Sequence, residues 1–183
     1  MKTLKIILAI IGLLLVLAFV FFWNMGLFTS VNVAEREEGG YKVVGMEYTG
    51  SYSDAGKSMM DIDKKLKETG IICTKGFGIY YDNPQVTPKE KCRSFVGNIL
   101  EEKDLGRITE LLAKGFKVDS VPKGNAVVVE LPIKNNISYM IGPIQAYPAI
   151  SKYMQAKGYK PKLSLEVYDV PVKKIYYIMQ YSL

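Results

Sequence analysis

Ile79-Tyr80-Tyr81-Asp82-Asn83-Pro84 and Glu166-Val167-Tyr168-Asp169-Val170-Pro171 close two strand-like segments in the same way. Tyr81 matches Tyr168, Asp82 matches Asp169 and Pro84 matches Pro171. Working outward, each segment follows a helix pattern and precedes a second strand. In the first stretch a strand at Lys42–Tyr48 leads through Gly50-Ser51-Tyr52 into a helix over Ser53–Thr69, with Ser53 or Asp54 as N-cap and Gly70 beyond its end. Ala55, Met59, Ile62 and Leu66 form its apolar stripe. A hairpin follows, from Gly76 to Pro84 and from Lys91 to Leu100. In the second stretch the Val-rich strand Ala126–Leu131 precedes Gly142-Pro143, which opens a helix running to Lys157. Ile144, Tyr147, Ile150 and Met154 supply its stripe, and Gly158 closes it. The hairpin here is Leu163–Pro171 with Lys174–Tyr181. Ile108, Leu111 and Leu112 predict a short linking helix that ends at Gly115. The fold class is α+β: duplicated β-α-β-β units form one antiparallel-type sheet with two helices on one face. The other face is expected to meet solvent or to form a concave site.

Ahead of this lies Ile6–Trp23, eighteen residues with no charged or polar side chain. As a helix it would be about 27 Å long, close to the hydrocarbon thickness of a bilayer. It outlasts the apolar core of a cleavable signal peptide, and no pair of small residues marks a cleavage site. The expected organisation is a transmembrane signal anchor at residues 1–28, with residues 6–28 as membrane partner, a linker at 29–40 and a ligand-binding domain at 41–183. Lys2 and Lys5 precede the span, whereas residues 29–40 hold three Glu against one Arg. The positive-inside bias then keeps the N-terminus cytoplasmic and the domain extracytoplasmic, in a single-pass arrangement expected at a bacterial inner membrane.

Composition excludes much chemistry. The sequence has no histidine, so Ser-His-Asp and Cys-His catalysis are ruled out. Cys73 and Cys92, the only cysteines, cannot build a closed zinc site. They are expected as free or partly buried thiols. No metal or cofactor is expected. No basic strip alternates with aromatics and no helix-turn-helix precedes the domain, so no nucleic-acid partner is expected.

Strand alternation narrows the site. Leu165 and Val167 read as the helix-facing pair, which places Glu166 and Tyr168 on the open face. Phe77, Ile79 and Tyr81 read as the corresponding face of the first copy. A lone carboxylate among aromatics suits a cation or polar ligand. Tyr48, at the end of the first strand, and Tyr139, ahead of the second helix, lie near the seam between copies. Asp82 and Asp169, each two residues before a proline, are assigned to turns.

Gly50-Ser-Tyr52, Gly142-Pro143, Gly78-Ile-Tyr-Tyr-Asp-Asn-Pro84, Val121-Pro-Lys-Gly124 and Leu165-Glu-Val-Tyr168 together resemble GyrI-like small-molecule-binding domains, the effector-binding modules of certain bacterial regulators. The resemblance covers roughly residues 40–183. It implies a ligand cleft between the halves and an acidic cleft residue on the penultimate strand, a position that Glu166 fills. Two departures follow. An apolar span stands where the regulators carry a DNA-binding domain, so transcriptional control is not expected. Ile79 stands where the first half would match Glu166, so the site is expected to be asymmetric.

The first functional expectation is a membrane-anchored protein binding amphipathic or cationic small molecules through Glu166, with Tyr48, Tyr81, Tyr139 and Tyr168 as walls. One alternative is a hydrolase of reactive small molecules with Glu166 as general base. The other is a non-catalytic membrane interaction protein.

Overall fold

The structure, a computed structural model, describes residues 2–24 and 31–183. Leu27, Phe28 and the first residues of the expected linker lie outside them. Helix α1 (Lys2–Asn24) contains a segment, Leu4–Asn24, long and apolar enough to cross a membrane, and its most apolar eighteen residues have mean hydropathy 3.1.

The remaining elements are β1 (Val33–Glu38), β2 (Tyr41–Thr49), α2 (Ala55–Glu68), β3 (Lys75–Tyr80), β4 (Arg93–Ile99), α3 (Ile108–Ala113), β5 (Lys117–Val121), β6 (Gly124–Pro132), α4 (Ser138–Lys157), β7 (Lys160–Asp169) and β8 (Lys174–Ser182). The order β-α-β-β thus occurs in β2-α2-β3-β4 and in β6-α4-β7-β8. All eight strands join one antiparallel sheet in the order β1-β6-β8-β7-β3-β4-β2-β5. Helix α2 packs Ala55, Ile62 and Leu66 on Val44 and Val96, and α4 packs Ala146, Ile150 and Met154 on Val127, Val129 and Tyr177.

The face without helices is neither open nor a concave site. Val43, Phe77, Ile79, Phe95, Leu165, Val167 and Ile178 bury one another there, and Val121 of β5 meets Ala126 and Val128 of β6 in the same core. Strands at opposite ends of the order share that core because the sheet curls, as twisted sheets do. Gln180 pins the closure by donating to the carbonyls of Glu38 and Pro122, both at 2.8 Å.

Several expectations change. Residues 33–38, read as part of a flexible linker, form edge strand β1 paired with β6. Its charged sequence lacks apolar alternation because paired charges hold it. Arg36 reaches Glu38 and Glu130, each at 2.6 Å. Glu35 accepts hydrogen bonds from Tyr153 at 2.8 Å and from Tyr159 and Tyr181 at 3.2 Å, while the last two rings stack at 3.9 Å. Gly39-Gly40 then turns with φ of 113° and 76°. A Cβ at Gly39 would lie 2.1 Å from the Pro122 carbonyl oxygen, so glycine is required at this crossing. Helix α4 begins a turn before Gly142-Pro143, where the Ser138 hydroxyl accepts from the amides of Lys134 and Asn135. Its buried stripe is Gly142, Ala146, Ile150 and Met154; Ile144 is 69% exposed. Helix α2 has no side-chain cap from Asp54. Cys73 is half-buried, Cys92 is buried and both are free thiols.

The Tyr153 hydrogen bond, helped by Tyr181, Tyr159 and Lys157, holds the Glu35 carboxyl below its ordinary pKa. A depressed pKa gives a tie that is complete above the unfolded carboxylate value and is lost as pH falls through the folded one. The hydrogen-exchange protection factors of residues 33–38, corrected for the intrinsic pH dependence of amide exchange, should therefore fall in acid, and Glu35→Gln should lower them likewise at neutral pH. Unchanged exchange in that variant would refute the tie.

Candidate functional site

Helix α2 lies over β2 and β4, and α4 lies over β6 and β8, which leaves β3 and β7 uncovered between them. This strip floors a groove of about 2190 Å³ walled by the two helices. Along it, side chains on the helix side are Gly76, Gly78 and Tyr80 from β3, with Ser164, Glu166 and Tyr168 from β7. Glu166 and Tyr168 therefore share the face with the helices, opposite to the expected side. Leu165 and Val167, read as helix-facing, lie in the core beneath with Phe77 and Ile79. The apolar pair misled because the sheet's other face is itself a closed core.

Glu166 is 5% exposed. Tyr147 donates to its Oε1 at 2.7 Å and Tyr168 donates to its Oε2. Tyr80 and Tyr168 hydroxyls lie 3.2 Å apart, and Ser164 donates to the Tyr147 hydroxyl at 3.4 Å. Because Tyr168 spends its proton on Glu166, Tyr80 is the donor of its pair. Every proton in this chain thus points toward the carboxylate, the arrangement that favours its ionised form. Among the described residues no lysine or arginine pairs with it. Burial pushes its pKa up, while the phenols of Tyr168 and Tyr147 pull it back. Burial, then the neighbouring carboxylate, raises the Tyr147 and Tyr168 hydroxyls well above the ordinary phenol value, so both remain donors.

Two glycines make room for the cluster. Gly78 faces Glu166 across the β3–β7 pairing. Tyr80 folds back over it, so that a Cβ at Gly78 would stand 2.8 Å from the Tyr80 hydroxyl. Glu166 therefore faces a glycine in β3, while Ile79, its match by sequence, points into the opposite core. The surroundings of Glu166 are therefore set by Gly78 and not by Ile79. In α4, a Cβ at Gly142 would lie 1.9 Å from the Tyr177 hydroxyl. Tyr177, paired with Glu166 in the sheet, is fully buried under that glycine and its hydroxyl has no partner.

Of the other candidates, Tyr139 walls the groove, its ring 5.8 Å from that of Tyr168. Tyr81 touches only the rim: one residue past β3, it points away from Tyr80 and is 46% exposed. Tyr48 lies elsewhere, packed in the α2 core. It projects to the helix side, but from β2, on the far side of β4 from the groove floor. Asp82 accepts from the Arg93 amide at 2.7 Å and pairs with its guanidinium, and Asp169 pairs with Lys75 at 2.9 Å, so both brace strand ends. The residues that sequence reasoning missed are Tyr147, taken for core stripe, and Tyr80. The alternate glycines at 76 and 78 were the usable signal, since bare positions on one strand face mark where space is kept.

Replacing Tyr147 or Tyr168 by Phe removes one of the two bonds that favour the Glu166 anion. Each variant should raise the Glu166 pKa, read by carbon-detected NMR of labelled glutamate side chains. Titration at the wild-type pH in both would refute the hydrogen-bond pattern. Gly142→Ala should destabilise the domain by about 1–3 kcal/mol through overpacking against Tyr177. Combining it with Tyr177→Phe should recover part of the lost unfolding temperature.

The comparisons agree with this architecture. The family model described as the GyrI-like small molecule binding domain matches residues 32–177, which include β1. A testis-expressed protein 264 homolog of Mus musculus is 32% identical over 129 residues, covering 66% of this chain and 39% of the relative. Testis-expressed protein 264 of Homo sapiens is 33% identical over 100 residues, covering 52% and 32%. The chain thus spans well under half the length of these relatives. Among solved structures, the EcmrR C-terminal domain superposes with a TM-score of 0.59 at 15% identity, covering 83% of this chain and 98% of that one. SAV2435 bound to tetraphenylphosphonium gives 0.50 at 10% identity, covering 82% and 94%. With the model matched over most of its length, this chain belongs to the GyrI-like small-molecule-binding domain family.

Proposed function

We propose that the chain is a membrane-anchored receptor for amphipathic cations, which it holds in the groove over Glu166. The carrying observation is a buried carboxylate whose partners are neutral phenols, with no lysine or arginine paired to it among the described residues. A buried carboxylate without an opposite charge is costly, and a positive ligand would compensate it. Tyr139, Tyr168 and Tyr80 offer aromatic faces for the ligand's apolar body and for cation–π attraction. SAV2435, of like fold, was solved with a lipophilic cation of this kind. Binding is preferred to hydrolysis because both carboxylate oxygens already accept hydrogen bonds from phenols, so a water would have to compete with Tyr147 or Tyr168 to reach Glu166 as a base.

Anchoring is assigned to α1, which has the length and composition of a bilayer span. Lys2 and Lys5 in its first turns favour a cytoplasmic N-terminus, with the domain across the membrane.

Tetraphenylphosphonium is the probe. Isothermal calorimetry on the full chain in detergent should show Glu166→Gln binding it at least tenfold more weakly, about 1.4 kcal/mol, with the unfolding temperature preserved. Equal affinities in a folded variant would remove the proposal.

A further inference from the structure

The groove's outer lip is unusually apolar at one end. Met140 and Ile144 on the first turns of α4 are 72% and 69% exposed, and Val170 and Val172 in the β7–β8 turn are 60% and 55% exposed. Ile72, just ahead of β3, adds a further 61% exposed side chain, and Lys75 pairs with Asp169, which places it beside that turn. Met140, Ile144 and Val170 line the groove itself. Lone exposed apolar residues are ordinary, but a cluster around one mouth marks a surface meant to be covered.

The chain's course says what covers it. Val33 pairs with Val129, while Leu131 and Pro132 pair with Ile175 and Lys174. The Ile133 amide donates to the Lys173 carbonyl at 2.8 Å. The polypeptide arriving from α1 therefore enters the domain beside the β7–β8 turn and the start of α4, at the apolar lip. Only eight residues, 25–32, separate Asn24 from Val33. At full extension they span about 30 Å, so a bilayer holding α1 keeps this end of the domain within that reach. Lys134 and Lys173 flank the lip, and among the described residues neither forms a salt bridge, which suits an anionic lipid surface.

We propose that this lip docks on the bilayer that carries α1, with Met140, Ile144, Val170 and Val172 in the headgroup layer. The groove then opens toward lipid, and amphipathic ligands enter from the membrane instead of from bulk water. The inference rests on α1 being an anchor, and the test separates the two.

Full-length protein is reconstituted in phosphatidylcholine vesicles with and without phosphatidylserine. A fluorophore is placed at Ile144→Cys or at Val86→Cys, each in a Cys73→Ser background that leaves only buried Cys92. Val86 is 79% exposed in the β3–β4 loop, at the other end of β3. Headgroup nitroxide lipids should quench position 144 several-fold more than position 86, more strongly with phosphatidylserine, and Met140→Asp with Val172→Asp should abolish the difference. Equal quenching in vesicles that carry the protein through flotation would overturn the docking while leaving the anchor. Protein that fails to float with vesicles would overturn the anchor and the docking together.

Discussion

An ionised carboxylate withdrawn from water loses its hydration and must find hydrogen bonds or opposite charge in exchange, or it takes up a proton. Among the described residues, Glu166 meets that requirement with two phenols and no lysine or arginine. The geometry around it follows from this constraint. Tyr147 must come down from α4 and Tyr168 must stand two residues along the same strand. Tyr80 must lie back over a glycine to complete the chain of donors. Gly142 brings α4 close enough to β8 for Tyr177 to slide beneath it. A solitary, partly compensated charge in an aromatic groove is poor for stability, and on the proposed reading a positive ligand offsets that cost.

Much of the architecture was legible because it rests on local signals. The stripe of Ala55, Ile62 and Leu66 marked α2, and Gly70 and Gly158, both at positive φ, marked where α2 and α4 stop. The acid at Glu166 stood out as the polar residue between Leu165 and Val167. What failed was sidedness. Alternation gives which residues share a face but not which face the helices cover, and a curled sheet with two buried faces makes Leu165 and Glu166 both inward. Tyr48 was misplaced for a related reason: its face is right, but strand order, which is not local, puts it behind β4. Strand β1 escaped because Glu35 and Arg36 are held by tyrosines and acids distant in sequence.

Strand β1 also links the two parts of the reading. It carries the chain from α1 into the sheet edge, and its Glu35 binds tyrosines near the end of α4, just ahead of β7 and on β8. The helix that supplies Tyr139 and Tyr147 to the groove is thus tied at its other end to the segment that follows the apolar helix.

The central claim is that a charged Glu166 holds the ligand. Tetraphenylphosphonium carries a permanent charge and no titrating proton, so any pH dependence of its binding belongs to the protein. Its dissociation constant, measured across the carboxylate range on the full chain, should tighten as pH rises through the elevated Glu166 pKa and then level off, and Glu166→Gln should flatten the curve. A wild-type affinity independent of pH would contradict the account.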